Sequence, residues 1–143
     1  MTTSAPAELR ISTAASLEGL DRVTEAFDGF ASARGIPDGA RRAVQIVLDE
    51  LLSNTARCGQ VDGREPVVDV GFRLDGGTLR VEIVDDGVPF DPLGREEPDT
   101  TLPLEERPVG GLGVMLVNKL VDEIRYEREG GRNRVRFGKR LDP

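Results

Sequence analysis

The stretch from Arg41 to Gly59 constrains the fold most, because its apolar residues recur at helical spacing. Residues three, four and seven positions apart share one face of an α-helix. The residues on that face are Val44, Val47, Leu48, Leu51, Thr55 and Cys58. Gly59 is a suitable C-terminal stop, and the apolar position of Cys58 predicts a buried thiol. The stretch therefore predicts one amphipathic helix whose apolar face packs on the rest of the chain.

Two polar residues, Glu50 and Asn54, lie along one border of this apolar face. They are four positions apart, so a helix places one above the other. A carboxylate can accept a proton and an amide oxygen can hold Mg²⁺, a usable pair for phosphoryl transfer. An ordinary helix with two polar flanking residues has the same pattern, and the helix alone favours that simpler interpretation.

The rest of the chain alternates between strand-like and helical patterns. Glu8–Thr13 predicts a first strand, and Ser16 is an N-cap for a helix that ends at Arg34 before Gly35. The apolar residues that this helix should turn inward are Leu17, Leu20, Val23, Phe27 and Phe30. Two hairpins follow, Val67–Leu74 with Leu79–Val84 and Glu123–Arg128 with Arg132–Phe137. This order predicts an α+β sandwich, with a mixed, mostly antiparallel sheet covered by helices on one face.

Two glycine-containing segments could line a ligand pocket. Asp85-Asp86-Gly87 ends a predicted strand, where it makes either a simple turn or the mouth of a pocket. Gly110-Gly111-Leu112-Gly113 precedes an apolar helix, where free N–H groups suit phosphate, although a flexible hinge would have the same composition. The irregular segment between them, about residues 91–109, is predicted to be a lid.

Composition excludes several function classes. A chain of 143 residues predicts one domain over residues 1–143. A formal net charge of −7 argues against nucleic acid or a membrane surface as a partner. With no histidine, a Ser-His-Asp triad, a histidine-ligated metal and a phosphorylated histidine within this chain are excluded. No apolar run is long enough to span a membrane, so we expect a cytoplasmic protein.

Taken together, the ordered motifs resemble the GHKL ATPase superfamily, and more narrowly its anti-sigma-factor serine/threonine protein kinase branch. The three motifs are Glu50-x-x-x-Asn54, Asp85-x-Gly87-x-Pro89 and Gly110-Gly111-Leu112-Gly113. The phrases D-D-G-V-P-F-D-P and L-P-L-E-E-R-P-V-G-G-L-G are similar to those of the short-lidded members. The resemblance covers roughly Leu9 to Phe137.

This resemblance implies a Bergerat-type ATP-binding fold with ATP and Mg²⁺ as cofactors. By position, it implies that Glu50 is the catalytic base, Asn54 the Mg²⁺ ligand and Asp85 the acceptor for the adenine amino group. Gly87 would let the base approach. The phosphates would be held by the segment of Gly110, Gly111, Leu112 and Gly113.

The family also implies partners. The chain would hold a sigma factor inactive and phosphorylate a serine or threonine of an anti-sigma antagonist protein. A homodimer is a family expectation, with the exposed edge of the first strand as its candidate contact. Two alternatives stay open: an ATP-binding protein that sequesters a partner without kinase activity, and a free-standing ATP module of a histidine kinase. The chain departs from the family at Arg57-Cys58, where a histidine is common, and in the last strand, which lacks a common threonine.

Overall fold

A computed structural model describes residues 7–92 and 111–142, and within those ranges it contains three helices and five strands. The helices are α1 (Leu17–Arg34), α2 (Asp38–Cys58) and α3 (Gly111–Leu120). The strands are β1 (Leu9–Ala14), β2 (Val67–Asp75), β3 (Thr78–Asp85), β4 (Glu123–Glu129) and β5 (Arg132–Arg140). Both predicted hairpins and both predicted long helices are confirmed. None of the described helices is long and apolar enough to cross a membrane.

The five strands form one sheet in the order β1-β2-β3-β5-β4, and every neighbouring pair is antiparallel. Alternate residues of β2, β3 and β5 are buried in a core that they share with the helices. Near the middle of this core the ring of Phe72 stacks on that of Phe27, with centroids 5.3 Å apart. The predicted α+β sandwich with helices on one face is therefore confirmed, although the described sheet is antiparallel throughout and not mixed.

The opposite face of the sheet carries ion pairs between side chains of different strands, and some of them reach across an intervening strand. The Arg136 Nε donates to Glu82 Oε2 at 2.8 Å, and Arg80 pairs with Glu123. Such partly exposed pairs contribute little to the free energy of folding. The alternating arginines of the last strand thus lie mainly on a solvated face.

The predicted ends of α1 are confirmed in detail. The Gly19 N–H donates to Ser16 Oγ at 3.1 Å, and Gly35 has the left-handed conformation, with φ 66°. One inward prediction on this helix is wrong, because Leu17 is 83% exposed. At about 100° per residue, Leu17 lies roughly 120° around the axis from buried Val23, away from the sheet.

The burial of Cys58 was also predicted wrongly, because its side chain is exposed. Cys58 lies on the angular stripe that contains buried Leu51, so the periodicity is correct. The buried stretch of α2, however, ends at Asn54, and Cys58 is one helical turn farther along. Whether a residue on an apolar stripe is buried depends on how far the core extends beneath the helix.

Candidate functional site

Asp85 lies at the end of β3 and is 7% exposed. Its Oδ1 accepts two hydrogen bonds, from the Gly87 N–H at 2.9 Å and from Asn133 Nδ2 at 2.9 Å. Burial raises the pKa of Asp85 above its ordinary value, and the hydrogen bonds from Asn133 and Gly87 only partly offset that rise. The structure thus contains a buried carboxylate with two donors on one oxygen.

Gly87 is required by close packing of the loop after β3. A Cβ at this position would lie 2.5 Å from the Gly59 carbonyl oxygen and 3.0 Å from Asp85 Oδ1. The Val88 N–H also donates to the Gly59 carbonyl, at 3.3 Å. The loop is therefore held against the C-terminal end of α2, and any side chain at Gly87 would push the two apart.

Glu50 and Asn54 are adjacent on α2, as their spacing predicts. Asn54 Nδ2 lies 3.5 Å from Glu50 Oε1, and Asn54 is only 4% exposed. The Oδ1 of Asn54 accepts a hydrogen bond from the guanidinium of Arg57, one turn farther along the helix. The amide oxygen is thus occupied by a cationic group, which a metal ion would have to displace because two positive charges repel each other.

A small pocket lies between α2 and the sheet, beside Asp85. The residues that line it are Leu51, Thr55, Gly59, Ile83, Asp85, Phe90, Pro92, Asn133 and Val135. Its volume is about 10 Å³, enough for roughly one water molecule. A purine needs more room, so Phe90 and Pro92 would have to move outward before a base could enter.

The glycine segment is described only in part. Gly110 and nearly all of the predicted lid, from residue 93 onward, lie outside the described residues. Gly111, Leu112 and Gly113 form the first turn of α3, which packs against α2. The first N–H groups of a helix have no partner within it, so the backbone there can donate to an anion.

Three residues of the β4–β5 hairpin, to which the sequence analysis assigned no site role, also contact this region. Asn133 is buried and bonds to Asp85 and to the loop, and Tyr126 Oη donates to Asn133 Oδ1 at 2.6 Å. Arg128 Nη1 donates to the Gly87 carbonyl at 2.8 Å. The sequence did contain a sign that Asn133 faces inward, since this polar residue alternates with inward-facing Val135 and Phe137.

The described residues include no cluster of three acidic or cysteine side chains that could hold a metal alone. Mg²⁺ commonly takes one or two protein ligands and completes its shell with water and substrate phosphates. Asn54 could be such a ligand if the Arg57 guanidinium moves aside.

Comparisons with known proteins agree with this geometry. The chain is 25% identical over 130 residues to the serine-protein kinase RsbW of Bacillus subtilis. This alignment covers 87% of this chain and 79% of RsbW. The crystal structure of the RsbU and RsbW domains of Rv1364c from Mycobacterium tuberculosis aligns with a TM-score of 0.66 and 18% identity. That alignment covers 98% of this chain but only 34% of the mycobacterial one.

The catalytic domain of the histidine kinase ThkA shares the fold as well. It aligns with a TM-score of 0.53 and 16% identity, over 93% of this chain and 96% of ThkA's domain. Residues 13–139 match the family described as the histidine kinase-like ATPase domain. That match confirms the predicted superfamily, and the similarity to the serine-protein kinase RsbW supports the predicted kinase branch. The chain therefore belongs to the histidine kinase-like ATPase domain family.

Proposed function

We propose that this protein is an ATP-dependent serine/threonine protein kinase that also acts as an anti-sigma regulator. It would sequester a sigma factor and phosphorylate a serine or threonine of an antagonist protein, in the manner expected of a relative of the serine-protein kinase RsbW. The observation that carries the proposal is the adjacent Glu50 and Asn54 on α2, in a chain whose buried Asp85 lines a pocket beside the same helix.

Each residue has a definite part in phosphoryl transfer. Glu50 would take the proton of the substrate hydroxyl while the hydroxyl oxygen forms a bond to the γ-phosphorus of ATP. The bond from that phosphorus to the β–γ bridging oxygen breaks, and ADP leaves. Asp85 would bind the adenine amino group, and the first N–H groups of α3 would hold phosphate oxygens. Mg²⁺, held by Asn54, would neutralise charge on the phosphates.

The test follows phosphate from γ-labelled ATP into protein. We expect the wild type, mixed with extract from the source cells, to label a small protein on serine or threonine. Replacing Glu50 by Gln should lower the labelling rate about 100-fold or more, while Mg-ATP affinity changes less than about threefold, because only the proton acceptor is lost. Asp49→Asn is the matched control, an exposed acid next to Glu50 that should have no effect.

Three other outcomes would contradict the kinase proposal. Calorimetric binding of Mg-ATP without any labelling would favour an ATP-binding protein that only sequesters its partner. Acid-labile label on a histidine of another protein would favour a histidine-kinase module. A folded protein that binds no Mg-ATP would remove the nucleotide site from all of these functions.

A further inference from the structure

Asn133 is the most completely hydrogen-bonded side chain near the pocket. It is 3% exposed, and its Nδ2 donates to Asp85 Oδ1 at 2.9 Å and to the Val88 carbonyl at 2.8 Å. Its Oδ1 accepts from Tyr126 Oη at 2.6 Å and from the Phe90 N–H at 3.3 Å. An asparagine amide has two donor hydrogens and two acceptor lone pairs, so its capacity is filled.

These four bonds determine which way the amide faces. Reversing it would place oxygen against the Asp85 carboxylate and the Val88 carbonyl, and an N–H group against the Phe90 N–H. Asn133 therefore ties the end of β3, the following loop and β4 together through one rigid group. A network whose members are all bonded favours a single arrangement.

The arrangement also distinguishes the two carboxylate oxygens of Asp85. Oδ1 accepts from Asn133 Nδ2 and from the Gly87 N–H, and no described residue is bonded to Oδ2. Asp85 lines the pocket. Oδ1 is held by two donors, so Oδ2 is the oxygen of Asp85 that has no bond to a described residue and can accept from a ligand in the pocket.

We propose that Asn133 is a positioning residue that makes the pocket selective for 6-aminopurine over 6-oxopurine nucleotides. A 6-amino group donates to Asp85 Oδ2, whereas a 6-oxo group would place a second acceptor against that oxygen. Discrimination of this kind is strong only when the protein group cannot rotate away. The inference rests on the proposed nucleotide site but does not depend on kinase activity.

The experiment measures affinity for Mg-ATP and Mg-ITP by calorimetry, with ITP in competition where its binding is weak. Asn133→Ala should weaken ATP binding about tenfold, as expected for loss of a hydrogen bond to a charged group, and change ITP affinity less than about threefold. Tyr126→Phe, which removes only the hydroxyl that bonds Asn133, should lower the ATP preference by about threefold. Asn133→Thr keeps one hydroxyl donor and should fall between wild type and Asn133→Ala.

A double-mutant cycle separates positioning from general damage to the fold. Because Asn133 acts through Asp85, adding Asn133→Ala to Asp85→Asn should weaken ATP binding no further. Arg125→Ala is the control, since Arg125 is exposed and is the residue next to Tyr126 on β4. It should leave both affinities unchanged. Circular dichroism of each variant monitors folding.

The possible failures can be told apart. If the wild type prefers ATP and the folded Asn133 and Tyr126 variants keep that preference, the positioning role is overturned and the nucleotide site stands. Should Asn133→Ala fail to fold, Asn133→Thr and Tyr126→Phe decide by the same criterion. If the folded wild type binds neither triphosphate, both the inference and the proposed function are overturned.

Discussion

Asp85 is buried at the end of β3, although a carboxylate loses hydration there. Burial is the main cause of its raised pKa. A carboxyl whose pKa is higher in the folded than in the unfolded protein stabilises folding at low pH. That contribution is complete below the unfolded pKa and is lost as pH rises through the folded one. At neutral pH the burial of Asp85 therefore reduces stability, and a role in ligand binding would explain why this burial is retained.

Asp85→Asn should consequently separate stability from binding. The asparagine oxygen can still accept from Gly87 and Asn133, and the buried charge is gone, so we expect the free energy of unfolding at pH 7 to rise by about 1 kcal/mol. This gain should shrink below about pH 4, where aspartate is protonated even in the unfolded chain. Mg-ATP affinity should fall more than about tenfold, because an amide N–H would face the adenine amino group.

Urea unfolding at the two pH values and calorimetry with Mg-ATP check this prediction. A variant that is less stable than the wild type at pH 7 yet binds Mg-ATP normally would contradict both parts of it. It would mean that Asp85 is a structural carboxylate.

Among the elements, α1 is attached to β1 by a contact that leaves no room for a side chain. A Cβ at Gly19 would lie 1.9 Å from the Ala14 carbonyl oxygen, whereas a Cβ at Gly29 on the same helix would meet nothing within 4 Å. The two glycines thus have different structural roles. Gly19 permits close packing of the first turn on the end of β1, and Gly29 only lowers the helix propensity of an open position.

Gly19→Ala and Gly29→Ala form a matched pair. We expect Gly19→Ala to destabilise the fold by about 2 to 3 kcal/mol, because the first turn of α1 must shift away from β1. Gly29→Ala should stabilise it by about 0.5 to 1 kcal/mol. Thermal and urea unfolding measure both changes, and equal effects of the same sign would contradict this account of the α1–β1 contact.

For the whole molecule, one core joins the helices to a single face of the sheet. Phe72 has no exposed surface and contacts α1 through Phe27 and also Phe30, whose ring centroid is 6.1 Å away. On the same strand Val67 is 47% exposed. Because this core also holds α2 against the sheet, the proposed nucleotide site should be lost together with the fold.

Phe72→Ala should lower the free energy of unfolding by about 3 to 5 kcal/mol, a large part of the total for a domain of this size. Val67→Ala, its control, should change that quantity by less than about 0.5 kcal/mol. Near-ultraviolet dichroism and Mg-ATP binding should disappear in a single transition for Phe72→Ala. Loss of Mg-ATP binding well before loss of the fold would show that the site and the core are separate units.

The sequence by itself determined the elements and the ends of α1, although α2 begins at Asp38, three residues before the predicted start, and β5 extends to Arg140. Apolar spacing, the Ser16 cap and the Gly35 stop depend on neighbours within a few positions, so α1, α2 and both hairpins could be predicted. The pairing of Glu50 with Asn54 was equally accessible, because helix geometry alone places residues four apart together. The ordered motifs also predicted the family, although that prediction came from resemblance to known sequences and not from a physical argument.

Only the tertiary structure decided what covers each residue. Asn133 bonds Asp85 across 48 positions of sequence, and the exposure of Leu17 and Cys58 depends on where the core ends beneath their helices. The narrow pocket likewise is lined by α2, by β3 with the loop after it, and by β5, which are distant from one another in sequence. Periodicity reports which way a side chain points within its own element. Burial and hydrogen-bond partners depend on which other elements lie there, and no local pattern contains that information.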